Sequence, residues 1–255
     1  MCEINLPEQK TQIVARGHKV VWDCGDSIVK AFDETKPASD VLNEALNLAR
    51  IVEAGVAAPK VIDVSEYEPG CWGIQVEHLA GKTLAEVMEA EPENKAKYLD
   101  QFVRLQLEIQ GHSAPLLPRQ KDKFVRMIKS VDAINATTRY DLLMRLDGMK
   151  VEEKVCHGDF NPTNVLVDGD KMAVLDWAHA TQGTPAADVA MTYMEFSFAD
   201  ADLADAYLDT YCEKADMPKQ LVFQWLPIVA AAELARGHKD NEEALLSWID
   251  VADWQ

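Results

Sequence analysis

The first eighty residues alternate short apolar runs with turn-forming residues, a pattern typical of β-strands. The runs KVVWDC and SIVKAF are separated by Gly25–Asp26, a tight hairpin signal, and the runs PKVIDVSEY and CWGIQVEHL flank EPG. Between these pairs, residues 39–56 place apolar side chains at helical spacing. Ser39 or Asp40 is expected to cap that helix, which should end near Gly55. The predicted order is strand, strand, helix, strand, strand.

After these strands the apolar pattern becomes mostly helical. Thr83 is expected to cap the first helix of this region, because a hydroxyl at that position can accept a hydrogen bond from a free backbone N–H. The periodicity predicts helices over roughly 84–90, 94–110, 119–133 and 138–146, and again from Ala186 onward. The segment 155–177 interrupts the helical pattern with two short apolar runs.

This change of pattern predicts an α+β protein with two lobes. The expected N-terminal lobe, residues 1–79, is small and β-rich and contains one main helix. The expected C-terminal lobe, residues 80–255, is larger and mostly helical, and a hinge is expected at about 77–82. A chain of 255 residues is long enough to give each lobe a core of its own.

The charge and cysteine content narrow the possible partners and location. The chain has 25 Lys and Arg against 43 Asp and Glu, a net charge of −18, which argues against nucleic acid or an anionic membrane as partner. Its five cysteines form no CxxC pair, so free thiols in a reducing compartment are expected. The N-terminus lacks the features of a signal peptide, and the apolar run LPIVAAAELA contains Glu233 and is too short to span a membrane. We therefore expect a soluble, cytoplasmic protein.

The segment NVLVDGDKMAVLDW predicts a β-hairpin with Gly169 near its turn. With a loop of residues 169–171, Asn164 lies directly opposite Asp176 and their side chains share a face. A two-residue loop would instead pair Asn164 with Leu175. The first register is favoured, and it predicts a carboxylate and a carboxamide oxygen side by side. Mg²⁺ needs few protein ligands of this kind, because it keeps several waters and takes phosphate oxygens as well.

A third polar group precedes this hairpin. Asp159 lies five residues before Asn164. A carboxylate beside a metal-bound phosphate can accept a proton from a hydroxyl and align its oxygen for attack. A hairpin decorated with Asp, Asn and Gly as ordinary turn residues is the simpler alternative. The spacing of the three groups favours phosphate and metal chemistry.

The block HGDFNPTN followed by LDW resembles the catalytic and metal-binding signature of the aminoglycoside phosphotransferase family, a small-molecule branch of the protein-kinase-like fold. The resemblance implies a nucleotide-binding N-terminal lobe and a C-terminal lobe for catalysis and substrate binding. It makes Asp159 the catalytic base or the residue that orients the attacking hydroxyl, and Asn164 and Asp176 the Mg²⁺ ligands. It also gives His157 and Asp188, the latter within ATQGTPAADVA, structural roles in support of the catalytic loop.

The family resemblance extends to the first lobe. Lys30 lies in the predicted strand SIVKAF, fourteen residues before Glu44, which matches the family's order of nucleotide-binding lysine and helical glutamate. An ion pair between them would hold the ammonium over the α- and β-phosphates. As chemistry alone, a single Lys in a strand is more often a surface residue, and Glu is a common helix former.

Two further nucleotide contacts are implied by the resemblance. ARGHKVVW has a single glycine, Gly17, where the phosphate-covering loop is expected. GIQVEHLAGKTL resembles the hinge, with the Glu77 carbonyl and the Leu79 amide expected to pair with the nucleotide base. These are backbone contacts, so the side chains do not distinguish ATP from GTP. An ordinary turn and a plain strand end are compatible with the same residues.

The phosphate acceptor is less clearly indicated. Glu195, Asp200 and Asp202 follow the catalytic block, and Glu233 lies in an apolar helix, where an acid needs a partner. These acids would suit an amine-bearing acceptor such as an aminoglycoside, a choline-like alcohol or an amino alcohol. Helix capping explains Asp200 and Asp202 equally well.

Together these features predict a kinase that transfers the γ-phosphate of ATP or GTP to a hydroxyl of a small molecule, with Mg²⁺. The expected partners are a nucleoside triphosphate and that acceptor, with no nucleic acid and no membrane; the oligomeric state is open. A catalytically silent nucleotide-binding module of the same fold is the alternative. A protein kinase is disfavoured, because no APE-like segment follows LDW.

Overall fold

The computed structural model describes residues 4–237 and 241–249. Its strands are β1 (Thr11–Arg16), β2 (Lys19–Asp23), β3 (Ser27–Phe32), β4 (Val61–Glu68), β5 (Cys71–Glu77), β6 (Lys82–Thr83), β7 (Lys154–Cys156), β8 (Val165–Asp168), β9 (Lys171–Val174) and β10 (Thr181–Gly183). Strands β1 to β5 form an antiparallel sheet in the order β1-β2-β3-β5-β4.

The helices are α1 (Ala38–Glu53), α2 (Leu84–Ala90), α3 (Lys95–Gly111), α4 (Gln120–Ser130), α5 (Ala136–Gly148), α6 (Pro185–Ala199), α7 (Ala201–Ala215), α8 (Lys219–Phe223), α9 (Leu226–Ala235) and α10 (Glu242–Ile249). The helices predicted from periodicity are confirmed, with ends that differ by a few residues. No helix within the described ranges has both the length and the hydropathy that crossing a bilayer requires.

Contacts within the chain divide the described residues into two compact units. The first unit holds the residues up to Ala90 together with Pro162–His179, and the second holds Glu91–Asn161 and the residues from Ala180 onward. The hairpin of β8 and β9 groups with the first unit because β8 pairs with β6. The lobe boundary between residues 79 and 80 stays a prediction.

The first unit follows the predicted order of strands, with one strand added. Strand β1 was missed because TQIVAR lies at the sheet edge and is mostly exposed, so it shows no apolar alternation. Helix α1 buries one apolar face, and it contacts β4 and β5. The predicted cap of α1 is wrong: Pro37 occupies the N-cap without a side-chain hydrogen bond, and Ser39 and Asp40 lie in the first turn. Proline fits there because its φ of −57° is already suited to entering a helix.

The predicted cap of α2 is confirmed. The Thr83 hydroxyl accepts a hydrogen bond from the Glu86 N–H at 3.2 Å, and Glu86 Oε2 accepts one from the Thr83 N–H at 2.7 Å. This reciprocal arrangement is a capping box, which satisfies two backbone donors at the start of the helix. Strand β6 therefore passes directly into α2 at a fixed angle.

The register of the β8–β9 hairpin corrects the prediction. Val165 pairs with Val174 and Asp168 with Lys171, so the loop has two residues and Asn164 faces Leu175 rather than Asp176. Gly169 has a φ of +59°, and a positive φ at the first loop residue lets a two-residue turn match the twist of its strands. The three-residue loop was therefore wrong, and the alternative register is the one observed.

The second unit is built around two helices that are buried on nearly all sides. Helix α6 buries ten of its residues, and the apolar run LPIVAAAELA forms α9, whose first seven residues are all buried. Strands β7 and β10 form a short antiparallel pair beside them. The four cysteines within the described residues are free thiols, as predicted; Cys2 lies outside those residues.

Candidate active site

A buried ion pair lies in the first unit. Lys30 is at the middle of β3, between Val21 of β2 and Ile74 of β5, and its Nζ lies 2.6 Å from Glu44 Oε1 on α1. The two side chains keep only 13% and 8% of their surface exposed. Burial by itself would lower the pKa of Lys30, but the carboxylates of Glu44 and Asp176 outweigh it and hold that pKa above its ordinary value. The lysine therefore stays an ammonium, in the pairing that the sequence predicted.

The carboxylate of Asp176 forms ion pairs with two lysines. Its Oδ1 lies 3.3 Å from Lys30 Nζ, and its Oδ2 lies 2.8 Å from Lys19 Nζ. Burial alone would raise the pKa of Asp176, but the two ammonium groups hold it well below the usual range. The carboxylate is therefore ionised at neutral pH, and each of its oxygens faces a different cation.

The backbone explains how Asp176 reaches these lysines despite the slipped register. Asp176 has a φ of +58°, in the left-handed region, so the alternation of β9 no longer sets the direction of its side chain. The turn that follows is held by Trp177, whose indole N–H donates to the Val174 carbonyl at 2.9 Å. A non-glycine residue in this conformation is uncommon, and such strain is often found at functional sites.

Asn164 lies beside this turn. It ends the 3₁₀ turn Pro162–Asn164, and its carbonyl accepts a hydrogen bond from the Leu175 N–H at 2.8 Å. The residue paired with Asn164 is thus the immediate neighbour of Asp176. The donor set fits Mg²⁺, which is commonly held by one or two carboxylates and otherwise by water and phosphate oxygens. The convergence of two ammonium groups on Asp176 also shows that this carboxylate attracts cations.

The remaining residues predicted in the first unit occupy turns and strand ends. Gly17, with a φ of +53°, lies in the turn between β1 and β2. Glu77 ends β5, where its N–H donates to the Lys60 carbonyl at 2.9 Å, and Leu79 follows two residues later, half-buried. Their nucleotide contacts stay predictions.

The predicted catalytic loop, in the second unit, is held from two sides through Gly158. Its N–H donates to Asp188 Oδ1 at 2.7 Å, and its carbonyl accepts from Arg236 Nη2 at 2.8 Å. Asp188 is 1% exposed, and its Oδ2 accepts from Gln110 Nε2 at 3.3 Å. The bond from Asp188 to the loop is the one that the family resemblance implied. Asp159 directly follows Gly158, so these hydrogen bonds also fix the position of the Asp159 backbone.

His157 packs at the base of the same loop. It is fully buried, and its ring meets the edge of Phe160 with ring centroids 5.9 Å apart. Phe160 in turn stacks on Phe102 of α3 at 4.3 Å. These contacts place His157 within the core of the unit; its role in support of the catalytic loop stays a prediction.

A cavity of about 170 Å³ opens beside Asp159. Three acids line it, Asp159, Glu195 and Glu233, together with Arg236 and the aromatic side chain of Phe198. Asn161 Nδ2 lies 3.4 Å from Glu195 Oε2. Of the other predicted acceptor acids, Asp200 caps α7, because its Oδ1 accepts from the Leu203 N–H at 3.0 Å, and Asp202 is exposed in the first turn. Neither is among the residues that line the cavity. Asp200 is the cap of α7, and Asp202 lies in its first turn, where a negative charge is favourable beside the helix N-terminus.

The acids of the cavity are not equivalent. Partial removal from water, reinforced by the negative charges of Asp159 and Glu233, raises the pKa of Glu195 to about 7. Glu195 nevertheless keeps part of its surface open to solvent. Glu233 is paired instead, with Arg236 Nη1 2.7 Å from its Oε1. Near neutral pH, the carboxyl of Glu195 therefore gains or loses a proton readily.

Three basic residues with contacts or charges at these sites were not identified from the sequence: Lys19 in the first unit, and Arg236 and Lys123 in the second. Lys19, at the start of β2, gave no signal except its place two residues after Gly17. Arg236 contacts a loop 78 residues earlier in the chain, which no local pattern indicates. Burial and the charge of Arg236 lower the pKa of Lys123 to about 7, although Glu233, Asp159 and Asp188 partly counter them.

Comparisons with known proteins give a family match and a partial sequence match. A family model described as a phosphotransferase enzyme family (APH) matches residues 18–223. Protein LicA of Haemophilus influenzae is 32% identical over 69 residues, and the match spans 27% of this chain and 26% of LicA. The chain thus aligns with about a quarter of the length of this curated relative.

Solved structures share the fold at low identity. A thermostable mutant of aminoglycoside phosphotransferase APH(4)-Ia, in ternary complex with ADP and hygromycin B, is 15% identical with a TM-score of 0.69, covering 95% of this chain and 90% of that one. A choline/ethanolamine kinase family protein from Mesorhizobium loti is 16% identical with a TM-score of 0.63, covering 97% and 86%. Amicoumacin kinase hAmiN, in complex with AMP-PNP, Ca²⁺ and Ami, is 10% identical with a TM-score of 0.61, covering 97% and 88%. The predicted kinase-like α+β fold is confirmed.

Proposed function

The chain belongs to the phosphotransferase enzyme family, and on that premise we propose that it transfers the γ-phosphate of ATP or GTP to a hydroxyl of a small, amine-bearing acceptor. The observation that carries the proposal is the array of Lys30, Glu44 and Asp176. A buried ammonium held by a helical carboxylate and directed at a second, ionised carboxylate is the arrangement that protein kinases use for phosphoryl transfer. We also propose a cytoplasmic location, which suits the free thiols of the described residues.

The first unit supplies the nucleotide contacts in this proposal. Lys30, fixed by Glu44, holds the α- and β-phosphates, and the turn at Gly17 lies over them. Asn164 and Asp176 would hold Mg²⁺, which when bound neutralises the charge that develops on the transferring phosphate. The Glu77 carbonyl and the Leu79 amide pair with the nucleotide base through the backbone, so the side chains do not select between ATP and GTP.

The second unit supplies the base. Asp159 accepts a hydrogen bond from the acceptor hydroxyl and takes its proton as the oxygen attacks the γ-phosphorus. The new oxygen–phosphorus bond forms while the bond from the γ-phosphorus to the β–γ bridging oxygen breaks, and the nucleoside diphosphate leaves with that oxygen. Because Gly158 is held on both sides by Asp188 and Arg236, Asp159 starts from a fixed backbone position. Such fixation reduces the entropy lost in reaching the reactive geometry.

The cavity beside Asp159 indicates the class of acceptor. Its carboxylates attract a cationic nitrogen, and Phe198 offers an aromatic surface, which also binds ammonium groups. Its volume of about 170 Å³ is smaller than the roughly 300–1,000 Å³ of sites for drug-sized ligands. This favours an amino alcohol or choline-like metabolite over an aminoglycoside.

The test is a panel of acceptors, choline, ethanolamine, related amino alcohols and aminoglycosides, scored by Mg²⁺-dependent release of ADP or GDP. We expect turnover with at least one small amino alcohol. In Asp159→Asn, turnover should fall by at least about a hundredfold while Mg²⁺–nucleotide binding, measured by calorimetry, is retained. Nucleotide binding without diphosphate release for any acceptor would overturn the proposal in favour of the silent module.

A further inference from the structure

Lys19 occupies a position that the proposed reaction does not explain. It is the first residue of β2, directly after the turn of Gly17 and His18, and its Nζ lies 2.8 Å from Asp176 Oδ2. Lys30 approaches the other oxygen of the same carboxylate at 3.3 Å. The proposed metal ligand therefore has a positively charged group on each of its oxygens.

The sheet register places the two lysines on one surface. Lys19 pairs with Phe32, and Val21 pairs with Lys30. Directly paired residues on neighbouring strands point to the same side of the sheet, and so do residues two apart along one strand. Lys19 and Lys30 therefore share the face that Asp176 approaches. Lys30 is anchored there by Glu44, whereas among the described residues no carboxylate other than Asp176 lies within ion-pair distance of Lys19.

Electrostatic interactions predict that Lys19 changes its ion-pair partner when a divalent cation and a nucleotide bind. Before binding, the charges of Lys19, Lys30, Glu44 and Asp176 balance. A divalent cation on Asp176 repels the ammonium of Lys19, whereas the phosphates of a nucleotide attract it. The side chain of Lys19 is 25% exposed and has a flexible four-carbon stem, so it can move between the two partners.

We propose that Lys19 is a second phosphate-binding lysine, which occupies the metal-binding carboxylate of Asp176 until nucleotide and metal arrive and then transfers to the nucleotide phosphates. This inference rests on the proposed function, because it requires the nucleotide phosphates to lie over this face of the sheet. It gives Lys19 two roles of opposite sign. The lysine competes with a metal that binds alone, and it assists a metal that arrives with a nucleotide.

The test compares Lys19→Met with Lys36→Met in two binding measurements that do not depend on turnover. Lys36 forms an exposed pair with Asp40 at 3.7 Å and serves as the control for loss of a surface lysine. Free Mn²⁺, detected by electron paramagnetic resonance, reports on the metal site without nucleotide. Calorimetry with Mg²⁺ and AMP-PNP reports on the complete site.

In Lys19→Met, we expect Mn²⁺ alone to bind about threefold more tightly, because a competing cation is gone. Mg²⁺–AMP-PNP should bind about tenfold more weakly, because a phosphate contact is lost. Lys36→Met should change neither affinity, and Lys19→Arg, which keeps the charge, should stay close to the wild type in both. A thermal melt of each variant checks that the fold is retained.

Two results would overturn the role of Lys19 alone. In one, the wild type binds Mg²⁺–AMP-PNP and Lys19→Met weakens both affinities together, as general damage to the site would do. In the other, Lys19→Met changes neither affinity. A wild type that binds no nucleotide would overturn the proposed function, and the role of Lys19 with it. The measurements on the wild type therefore separate the two failures.

Discussion

The two units place carboxylates in opposite electrostatic settings. In the first unit, Asp176 is enclosed by Lys30 and Lys19, and the pKa of its carboxyl is held well below the usual range. In the second unit, Glu195 shares a cavity with Asp159 and Glu233, and its pKa is raised to about 7. The same functional group is thus kept charged in one place and left near its titration point in the other.

The difference indicates what each acid is suited to bind. A carboxylate that is always ionised and paired with cations provides a permanent cation site, as a metal ligand must. A carboxyl whose proton is easily gained or lost becomes a cation site only when the pH or an incoming positive charge favours ionisation. The first setting therefore suits a metal present in every reaction cycle, and the second suits a cationic acceptor. The following predictions test this comparison, from the largest expected effect to the smallest.

Removal of the paired carboxylate should have the largest effect. Asp176→Ala leaves two ammonium groups together without their shared partner and removes a proposed metal ligand. We expect Mg²⁺-dependent nucleotide binding to fall by at least about a hundredfold, as measured by calorimetry over a range of Mg²⁺ concentrations. Asp170→Asn, at an exposed position in the turn of the same hairpin, is the matched control. An unchanged dependence on Mg²⁺ in Asp176→Ala would remove the basis for the comparison.

Glu195→Gln tests the crowded carboxyl through the pH dependence of activity. Below a pH of about 7 the carboxyl is mostly neutral, and above it the charge is present, so kcat/KM for a cationic acceptor should rise with pH in the wild type. Glu195→Gln cannot gain that charge. We expect it to lose about tenfold in kcat/KM at about pH 8 and much less at about pH 6. Asp202→Asn, at an exposed position of α7, is the control.

The same variant has a consequence for stability. Because the pKa of Glu195 in the fold is raised above its ordinary value, the folded chain binds the proton more tightly than the unfolded chain does. The contribution of Glu195 to stability is therefore present at low pH and is lost as the pH rises through about 7. Melting temperatures measured between about pH 5 and pH 8 should fall less in Glu195→Gln than in the wild type. Parallel curves would contradict the assignment of a raised pKa to this residue.

Arg236→Gln tests how the loop and the acids of the second unit depend on one cation. Arg236 donates to the Gly158 carbonyl and pairs with Glu233, so it acts as a positioning residue for Asp159. We expect kcat to fall about tenfold, with no change in nucleotide affinity. Because Arg236 also lowers the pKa of Glu195, the midpoint of the acceptor pH profile should move upward. A change of stability with an unmoved midpoint would assign Arg236 to packing alone. Arg104→Gln, at an exposed residue of α3, is the control.

Thr83→Ala should have the smallest effect. It tests the local stability of α2, which does not depend on the charges compared above. The variant removes one partner of the capping box of α2 and should lower the free energy of unfolding by about 1 kcal/mol. The two bonds from Thr83 lower the pKa of Glu86, so their contribution is constant above the ordinary titration range of a glutamate. Denaturant melts should therefore show the same loss at about pH 6 and pH 8. Thr210→Ala is the control, because this threonine is only half-buried on α7 and its hydroxyl donates to a carbonyl of the same helix, that of Ala206.

Much of the first unit could be predicted from the sequence. Four of its strands, α1 and the cap of α2 follow from period, turn residues and capping chemistry, which act over a few neighbouring residues. The pairing of Lys30 with Glu44 was predicted from their order in a known family pattern, and the structure contains it. Strand β1 was missed because an exposed edge strand needs no apolar alternation.

The errors occurred where a few backbone angles decide the outcome. The amino-acid sequence of the hairpin is compatible with two registers. The positive φ of Gly169 belongs to the shorter, two-residue turn that is observed. That choice moves Asn164 away from Asp176 in the ladder, and the left-handed φ of Asp176 then redirects its side chain. Helix α1 likewise starts after Pro37 rather than at the serine or aspartate that better match a cap. At these positions the local conformational preferences of the residues allow more than one structure, and packing in the folded chain determines which one forms.

The sequence alone determined the kinds of chemical group in this protein and their order, because motif spacing and periodicity are local properties of the chain. It supplied the proposed base, the two proposed metal ligands and the lysine–glutamate pair. Tertiary structure alone decided which charges meet. Lys19 and Asp176 are 157 residues apart in the sequence, and Arg236 and Gly158 are 78 residues apart, so no local pattern could predict either contact. Electrostatic energy depends on distance in space and on exposure to water, and both are set only when the chain is folded.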